Sequence, residues 1–141
     1  VFAQLAKRLP IRAKMAVIKT WTNGWSTSER FHEETILPCI FGCSGRDSLS
    51  HYLSCDIFWT LLLSVRRAPS CELSTSKGKR ACLISPSIGS ICNCWLAFQA
   101  YHALKIDYRA QIEQAVSSGD FHEIHLILVD LLMHFSSSMC P

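Results

Sequence analysis

Three cysteines and one histidine with metal-binding side chains fall within seventeen consecutive positions. They are Cys39, Cys43, His51 and Cys55, which form two pairs with three residues between the members of each. Thiolate and imidazole are ligands that Zn²⁺ prefers, and four of them complete a tetrahedral shell. Because all four come from the protein, no position remains for a reactive water. The spacing therefore predicts a structural zinc site and no catalytic residue.

Local conformation must bring the two pairs together. Gly42 and Gly45 flank the second cysteine, where a sharp turn needs positive φ or a close approach of the backbone to a thiolate. His51 and Cys55 are four residues apart and share one face if the chain is helical there. The alternative is that these cysteines are small buried hydrophobes and His51 lies on the surface.

The remaining sequence predicts a mostly α fold. About half of the 141 residues are hydrophobic, which suffices for one moderate core. One helix is predicted from Pro10 to Trp21 and another over Asp56–Val65. Ser26-x-x-Glu29 has the form of a capping box and predicts a short helix that includes residues 30–33. Residues 66–87, rich in Ser, Lys, Arg and Pro, are predicted to be an exposed basic linker.

Further helices are predicted after this linker. One begins at Ser87 and places Ile91, Trp95 and Phe98 on one stripe, and Asp120-x-x-Glu123 caps a last helix that is apolar nearly all round. The predicted fold is thus mostly α, with a small zinc-knuckle (CCHC) segment flanked by helices and followed by a C-terminal helical pair. The predicted regions are residues 1–65, a basic lead-in plus the CCHC segment, the linker 66–87, and the helical segment 88–141.

Charge is distributed unevenly along the chain. The formal net charge is only +3, yet residues 1–30 carry six Lys and Arg against one acid, while residues 101–141 carry five acids against two cations. A basic front suits a polyanionic partner, although a solvated helix face would look the same. No apolar run reaches the length of a membrane span, and no secretory leader is seen. We expect an intracellular protein, nuclear or cytoplasmic, without membrane contact, and a piece of a longer chain.

The residues around the quartet follow a wider pattern. A basic and aromatic lead-in with a Ser-x-Arg-Phe step precedes the two close cysteines, and an acidic-Ser pair, a His-x-Leu step, the last cysteine and a Trp follow. This order resembles the zinc-binding region downstream of the polymerase domain in non-LTR (LINE-type) retrotransposon reverse transcriptases, over roughly a quarter of the chain. The residues that carry the resemblance are Trp21, Trp25, Ser28, Arg30, Phe31, Cys39, Cys43, Asp47, Ser48, His51, Leu53, Cys55 and Trp59.

The resemblance implies a nucleic-acid-binding segment of an RNA-directed DNA polymerase. Its partners would be RNA, or single-stranded or nicked DNA, and the remainder of the polymerase chain. The polymerase site itself is absent, because no pair of adjacent aspartates follows a Tyr-x step to hold Mg²⁺. The chain is therefore not expected to be an enzyme by itself. The residues expected to contact phosphate or to stack on bases are Arg8, Arg12, Lys19, Trp25 and Arg30, with Phe31 and Tyr52 as further aromatics. The alternative for the aromatic residues is a place in the core, since Trp and Phe at helical spacing usually face inward.

A second function stays open at this stage. The apolar last helix, residues 121–135, predicts a zinc-stabilised module that docks a protein. Binding to single-stranded RNA with a steep salt dependence would favour the first function, whereas self-association through the last helix that is insensitive to salt would favour the second. His122 and His125 lie on that helix without the spacing of a zincin site and are expected on its polar face.

Overall fold

The computed structural model describes residues 4, 7, 9–66 and 76–136, with the backbone alone for 135 and 136. These residues form seven helices and no strand, which confirms the prediction of a mostly α fold. No helix among them has the length and apolar character required to cross a membrane. The helices are α1 Ile11–Trp21, α2 Leu49–Tyr52, α3 Asp56–Arg66, α4 Lys77–Arg80, α5 Ile88–Ile106, α6 Arg109–Ser118 and α7 Phe121–Ser136.

The longest helix, α5, is the centre of the molecule. Ten of its nineteen residues are buried because α1, α3, α4 and α6 all pack against it. Helix α1 meets it through Ala13, Ala16, Val17 and Thr20, whose small side chains allow close approach of the two backbones. Helix α7 then packs on α3 and α6. The core is one cluster that includes two of the cysteines of the predicted site.

Two predicted helix starts, at Ser87 and Asp120, are confirmed, and the end of α6 follows the same local chemistry. Ser87 caps α5 by accepting a hydrogen bond from the amide of Ser90 at 3.1 Å. Gly119 ends α6 with φ of 74°, a left-handed conformation that glycine adopts without a Cβ penalty. Asp120 accepts hydrogen bonds from the amides of His122 and Glu123 at the start of α7. Such helix ends can be predicted from the sequence because each depends on residues that are near one another along the chain.

The short helix predicted after Ser26 is wrong. Residues 28–32 form turns instead, and the local cap is Thr27, whose hydroxyl accepts from the amide of Arg30 at 3.2 Å. Ser28 does not continue a helix, because its amide and hydroxyl contact Asp47. A tertiary contact therefore overrides the local capping signal.

Two other regions depart from prediction. Within the stretch predicted to be an exposed linker, Arg80, Ala81 and Cys82 are buried, and α4 packs on α5. The region predicted as a C-terminal helical pair contains three helices, α5 to α7, in its described part. Arg8, one of the residues expected to contact nucleic acid, lies outside the described residues.

Candidate metal centre

The four predicted ligands meet at one point. The sulfur atoms of Cys39, Cys43 and Cys55 and a ring nitrogen of His51 all lie within 4.8 Å of one another. Cys55 Sγ is 3.9 Å from the Sγ atoms of both other cysteines, and Cys43 Sγ is 3.1 Å from His51 Nε2. In the described part of the chain this is the one group of three or more such residues that could hold a metal ion.

The separations fit a tetrahedral ion. With Zn–S near 2.3 Å and Zn–N near 2.0 Å, a tetrahedron has S–S edges of about 3.8 Å and S–N edges of about 3.5 Å. The observed 3.9 Å agrees with the first value and is far from the ~2.05 Å of a disulfide. The 3.1 Å sulfur–nitrogen contact is shorter than the edge and corresponds to a hydrogen bond. The ligand atoms lie up to 4.8 Å apart, so the cluster could accept a metal ion if its most distant ligands approached by about 1 Å.

The first two ligands are placed by a closed loop, residues 38–46, which we name the knuckle loop. Pro38 and Arg46 form an isolated antiparallel bridge at its base, and the amide of Cys39 donates to the carbonyl of Gly45 at 2.9 Å. Gly42 has φ of 75° and packs against Val116 of α6, where a Cβ would overlap the valine side chain. The positive φ predicted at this turn is confirmed, and it keeps Cys39 and Cys43 on the same side of the loop.

The other two ligands come from α2 and the residue before α3. Ser48 caps α2, and its hydroxyl accepts from the amide of His51 at 3.2 Å. Gly45 leaves room for the imidazole, since a Cβ there would overlap the ring. Helix α2 ends at Tyr52, so the condition under which His51 and Cys55 would share one helical face is not met. A turn between α2 and α3 brings them together.

The hydrogen bond between Cys39 and Cys55 shifts the pKa values of the two thiols in opposite directions. The hydrogen bond with Cys39 lowers the pKa of Cys55 to about 5, despite burial, which opposes this change. The same hydrogen bond and then burial raise the pKa of Cys39. A bound metal ion would require thiolates at both positions, so metal binding displaces at least the Cys39 proton. Metal affinity should consequently rise with pH.

Asp47 links the residues next to the cluster to α5 through buried hydrogen bonds. Its carboxylate is buried and accepts hydrogen bonds from the amide of Ser28, the hydroxyls of Tyr52 and Tyr101, and the ammonium of Lys105, at 2.6 to 2.9 Å. Burial alone would raise the pKa of Asp47, but these bonds, that of Lys105 foremost, outweigh it and lower the pKa. Burial and then the charge of Asp47 raise the pKa of Tyr52, which therefore remains a hydrogen-bond donor.

A second set of contacts holds α2, α3 and α4 together next to the cluster. Trp59 donates from its indole to the carbonyl of Tyr52 at 2.8 Å. The guanidinium of Arg80 lies 4.8 Å above the Trp59 ring and donates to the carbonyl of Leu53. Sequence reasoning missed Arg80, Tyr101 and Lys105, because 27 to 58 residues separate them from their hydrogen-bond partners here and no local pattern links them.

The residues predicted to bind nucleic acid divide into two groups. Trp25 is fully buried, donates to Thr20 and packs on Tyr101, so its predicted contact with a base is wrong for this fold. Tyr52 is also fully buried. Arg12, Lys19 and Arg30 are exposed, and Phe31 is 57% exposed with the Arg30 guanidinium 5.2 Å from its ring centre.

Two of the exposed cations, Lys19 and Arg30, act on His102, and Arg12 lies next to Lys19. Lys19 extends over the Phe98 ring at 5.2 Å and shares an open cavity of about 330 Å³ with Arg12. Burial lowers the pKa of His102, and the charges of Lys19, Lys105 and Arg30 lower it further, against the hydrogen bond to Phe98. Arg12 and Lys19 thus line one cavity, and Lys19 and Arg30 both act on His102; we name these three exposed cations the basic surface.

No protein-family model matches the chain, no curated protein sequence matches it significantly, and no solved structure matches its fold. The chemistry of the site is therefore the basis for its interpretation.

Proposed function

We propose that the chain is a zinc-stabilised nucleic-acid-binding segment of a non-LTR retrotransposon reverse transcriptase. The observation that carries the proposal is the convergence of Cys39, Cys43, His51 and Cys55 at one point, in a chain that also exposes Arg12, Lys19 and Arg30. The polymerase activity would belong to the remainder of a longer chain, and the contribution of this segment would be to hold RNA, or single-stranded or nicked DNA.

The donor set favours zinc over other ions. Three sulfurs and one imidazole nitrogen are borderline-soft donors, which suit Zn²⁺ and exclude hard cations such as Mg²⁺ and Ca²⁺. Four protein ligands close the shell, so the ion would be structural. Its role would be to hold the knuckle loop against α2 and α3, since the loop and the single turn of α2 have few internal hydrogen bonds of their own.

The wider sequence pattern supports the proposal because its members build the centre. Asp47 fastens the knuckle loop, Ser48 caps the helix of His51, and Trp59 ties α3 to the carbonyl of Tyr52. An accidental cluster of thiols would not need these neighbours. The family resemblance thus rests on residues whose contacts serve the proposed ion.

The basic surface supports binding to a phosphate backbone. Arg12, Lys19 and Arg30 are exposed, and α1 contains no acidic residue that would repel phosphate. Phe31 offers an exposed aromatic face beside Arg30 for an unpaired base. Binding of this kind gains its free energy from release of counterions and weakens steeply with salt.

The zinc proposal is tested by metal analysis of the purified chain. One equivalent of zinc is expected in the parent, and Cys39→Ser should lose it because a hydroxyl is a poor ligand for zinc. Cys94→Ser is the matched control, since Cys94 is equally buried but lies outside the cluster. Retention of zinc by Cys39→Ser, or absence of zinc from the parent, would contradict the proposal.

The nucleic-acid proposal is tested by titrating single-stranded RNA at several salt concentrations. The double variant Arg12→Ala/Lys19→Ala should weaken binding and reduce the slope of log K against log salt by about 0.7 for each phosphate contact removed. Lys77→Ala/Lys79→Ala removes two other exposed cations, on α4, and should leave the slope unchanged. A parent chain that binds no RNA at low salt would refute the proposal.

A second function is favoured by one observation on α7. Leu126 and Met133 are 54% and 63% exposed, whereas Ile124 and Leu128 of the same helix are fully buried. Large apolar side chains exposed on one face mark protein contacts. We therefore propose that α7 also docks a protein. Leu126→Ser/Met133→Ser should abolish protein association in sedimentation experiments and leave RNA binding intact.

A further inference from the structure

Helix α1 presents an apolar stripe to solvent. Ile11, Met15 and Ile18 are 67%, 43% and 41% exposed and follow the spacing of one helix face. This face is opposite to the buried one, which is formed by Ala13, Ala16, Val17 and Thr20.

Cations border this stripe. Arg12 and Lys19 are exposed and lie along the flank that faces Phe98 of α5. The helix carries no acid. A ligand for this face must therefore cover aliphatic side chains and also offer negative charge.

Helix α7 presents the complementary surface. Its most exposed apolar residues in the described part are Leu126 and Met133. Its acids are Glu123, which is partly exposed, and Asp130, whose side chain is 55% exposed and lies 3.7 Å from His134 Nδ1. The buried face of α7, with Ile124 and Leu128, points the other way. The outer face thus combines aliphatic side chains with negative charge.

The two faces also match in register. Arg12 and Lys19 are seven residues apart, as are Glu123 and Asp130, and each spacing corresponds to about 10.5 Å along a helix axis. On both helices the charged pair follows the apolar stripe in the same rotational sense. Helices that are packed antiparallel bring such flanks together, so both cations can meet both acids in one arrangement.

We infer that α1 of one copy of the chain docks antiparallel on α7 of a second copy. Both faces are exposed within a single copy, so neither covers the other there. The inference rests on the second function proposed above and names its partner as the same protein. Because the two surfaces differ, the contact is head-to-tail and can continue from copy to copy. A single helix pair covers much less than the ~1,200 Å² of a stable interface, so the association is weak and depends on concentration.

The test reverses the charges of one helix face at a time and measures association by sedimentation velocity in the absence of nucleic acid. One variant, Arg12→Glu/Lys19→Glu, makes both surfaces acidic, and the other, Glu123→Lys/Asp130→Lys, makes both basic. The parent should sediment faster as its concentration rises, and each variant alone should remain monomeric. An equal mixture of the two should associate at least as strongly as the parent, because each acidic surface then finds a basic one.

Two controls distinguish this contact from association through another surface and from unfolding. Lys77→Glu/Lys79→Glu reverses exposed cations on α4 and should associate like the parent. Circular dichroism of every variant establishes that it is folded. A parent that stays monomeric, or a mixture that stays monomeric, overturns the inference. A parent that associates while the mixture does not would leave protein docking in place and assign it to another surface.

Discussion

Asp47 is a charged residue with almost no solvent contact, since its side chain is 1% exposed and that of its partner Lys105 is 12% exposed. Four donors replace the water that this carboxylate gives up on folding. Such an arrangement stabilises little relative to an apolar core, but removing one member leaves the other charge buried and unpaired. Asp47 therefore determines how the knuckle loop sits on α5.

Asp47→Asn should destabilise the folded chain by about 3–5 kcal/mol, because Lys105 then lacks its counter-charge. Urea unfolding in the presence of excess zinc measures this change. Glu113→Gln, which breaks the exposed ion pair with Arg109, should cost less than about 1 kcal/mol. Equal effects of the two variants would contradict the role given to Asp47.

His102 is a single residue that should make the stability of the folded chain depend on pH. Its Nε2 accepts from the amide of Ser26 at 3.2 Å, and Nδ1 contacts the carbonyl of Phe98 at 2.7 Å, so the ring is held neutral. Because the folded pKa is lowered from 6.5, the unfolded chain takes up a proton first as the pH falls. The free energy of unfolding should therefore decrease below about pH 6.5. His102→Gln should show a smaller decrease between pH 7.5 and 5.5 in urea titrations, and an identical slope would disprove this assignment.

At the scale of elements, the centre is built from pieces too short to be stable alone. Helix α2 has four residues, and the knuckle loop has a single isolated bridge. Short helices and two-residue ladders do not persist in water without tertiary contacts or a ligand. The glycines of the loop matter because they allow the ligands to approach one another.

Gly45→Ala should weaken zinc binding at least tenfold, because the added methyl overlaps the imidazole of His51 and must displace it. Competition with a chromophoric chelator measures the affinity. Gly89→Ala in α5 is the matched control, since a Cβ there comes no closer than 3.8 Å to another atom. That change should keep the zinc affinity and, as a helical substitution, stabilise the chain by up to about 1 kcal/mol. Unchanged affinity in Gly45→Ala would show that His51 is not a ligand.

At the scale of the whole molecule, the metal centre and the helical core are adjacent but built on different principles. The α1–α5 packing buries Ala13, Val17 and Trp95 and needs no ion. The knuckle loop has two supports, the hydrogen bonds of Asp47 and the Cys/His cluster, and the second would be lost without an ion. Metal removal should therefore act on one part of the chain before the other.

A chelator is expected to speed hydrogen exchange at the amides of Cys39, Gly42 and Asp47, whose hydrogen bonds close the knuckle loop. Amides within α5 should exchange much as before, because their helix stays packed on α1. Hydrogen exchange read by mass spectrometry on peptides from the two regions tests this. Uniform loss of protection would mean that the ion is required for the entire fold.

The sequence by itself determined the Cys/His cluster that could hold a metal ion, two helix starts and the helical class, as Cys39, Ser87 and Asp120 illustrate. Each of these depends on chemistry between residues a few positions apart, which a local pattern can express. It could not show that Trp25 is buried and that Arg12 is exposed, since both sit in a basic, aromatic stretch.

Only the tertiary structure decided how the centre is held. The contact of Asp47 with Lys105 joins positions 58 residues apart, and that of Arg80 with Leu53 joins positions 27 apart. The same applies to Ser28, which the local signal placed in a helix and the contact with Asp47 placed in a turn. Whether a polar group is buried depends on the assembled core. Local sequence patterns therefore cannot predict which distant donors will hydrogen-bond to a buried carboxylate.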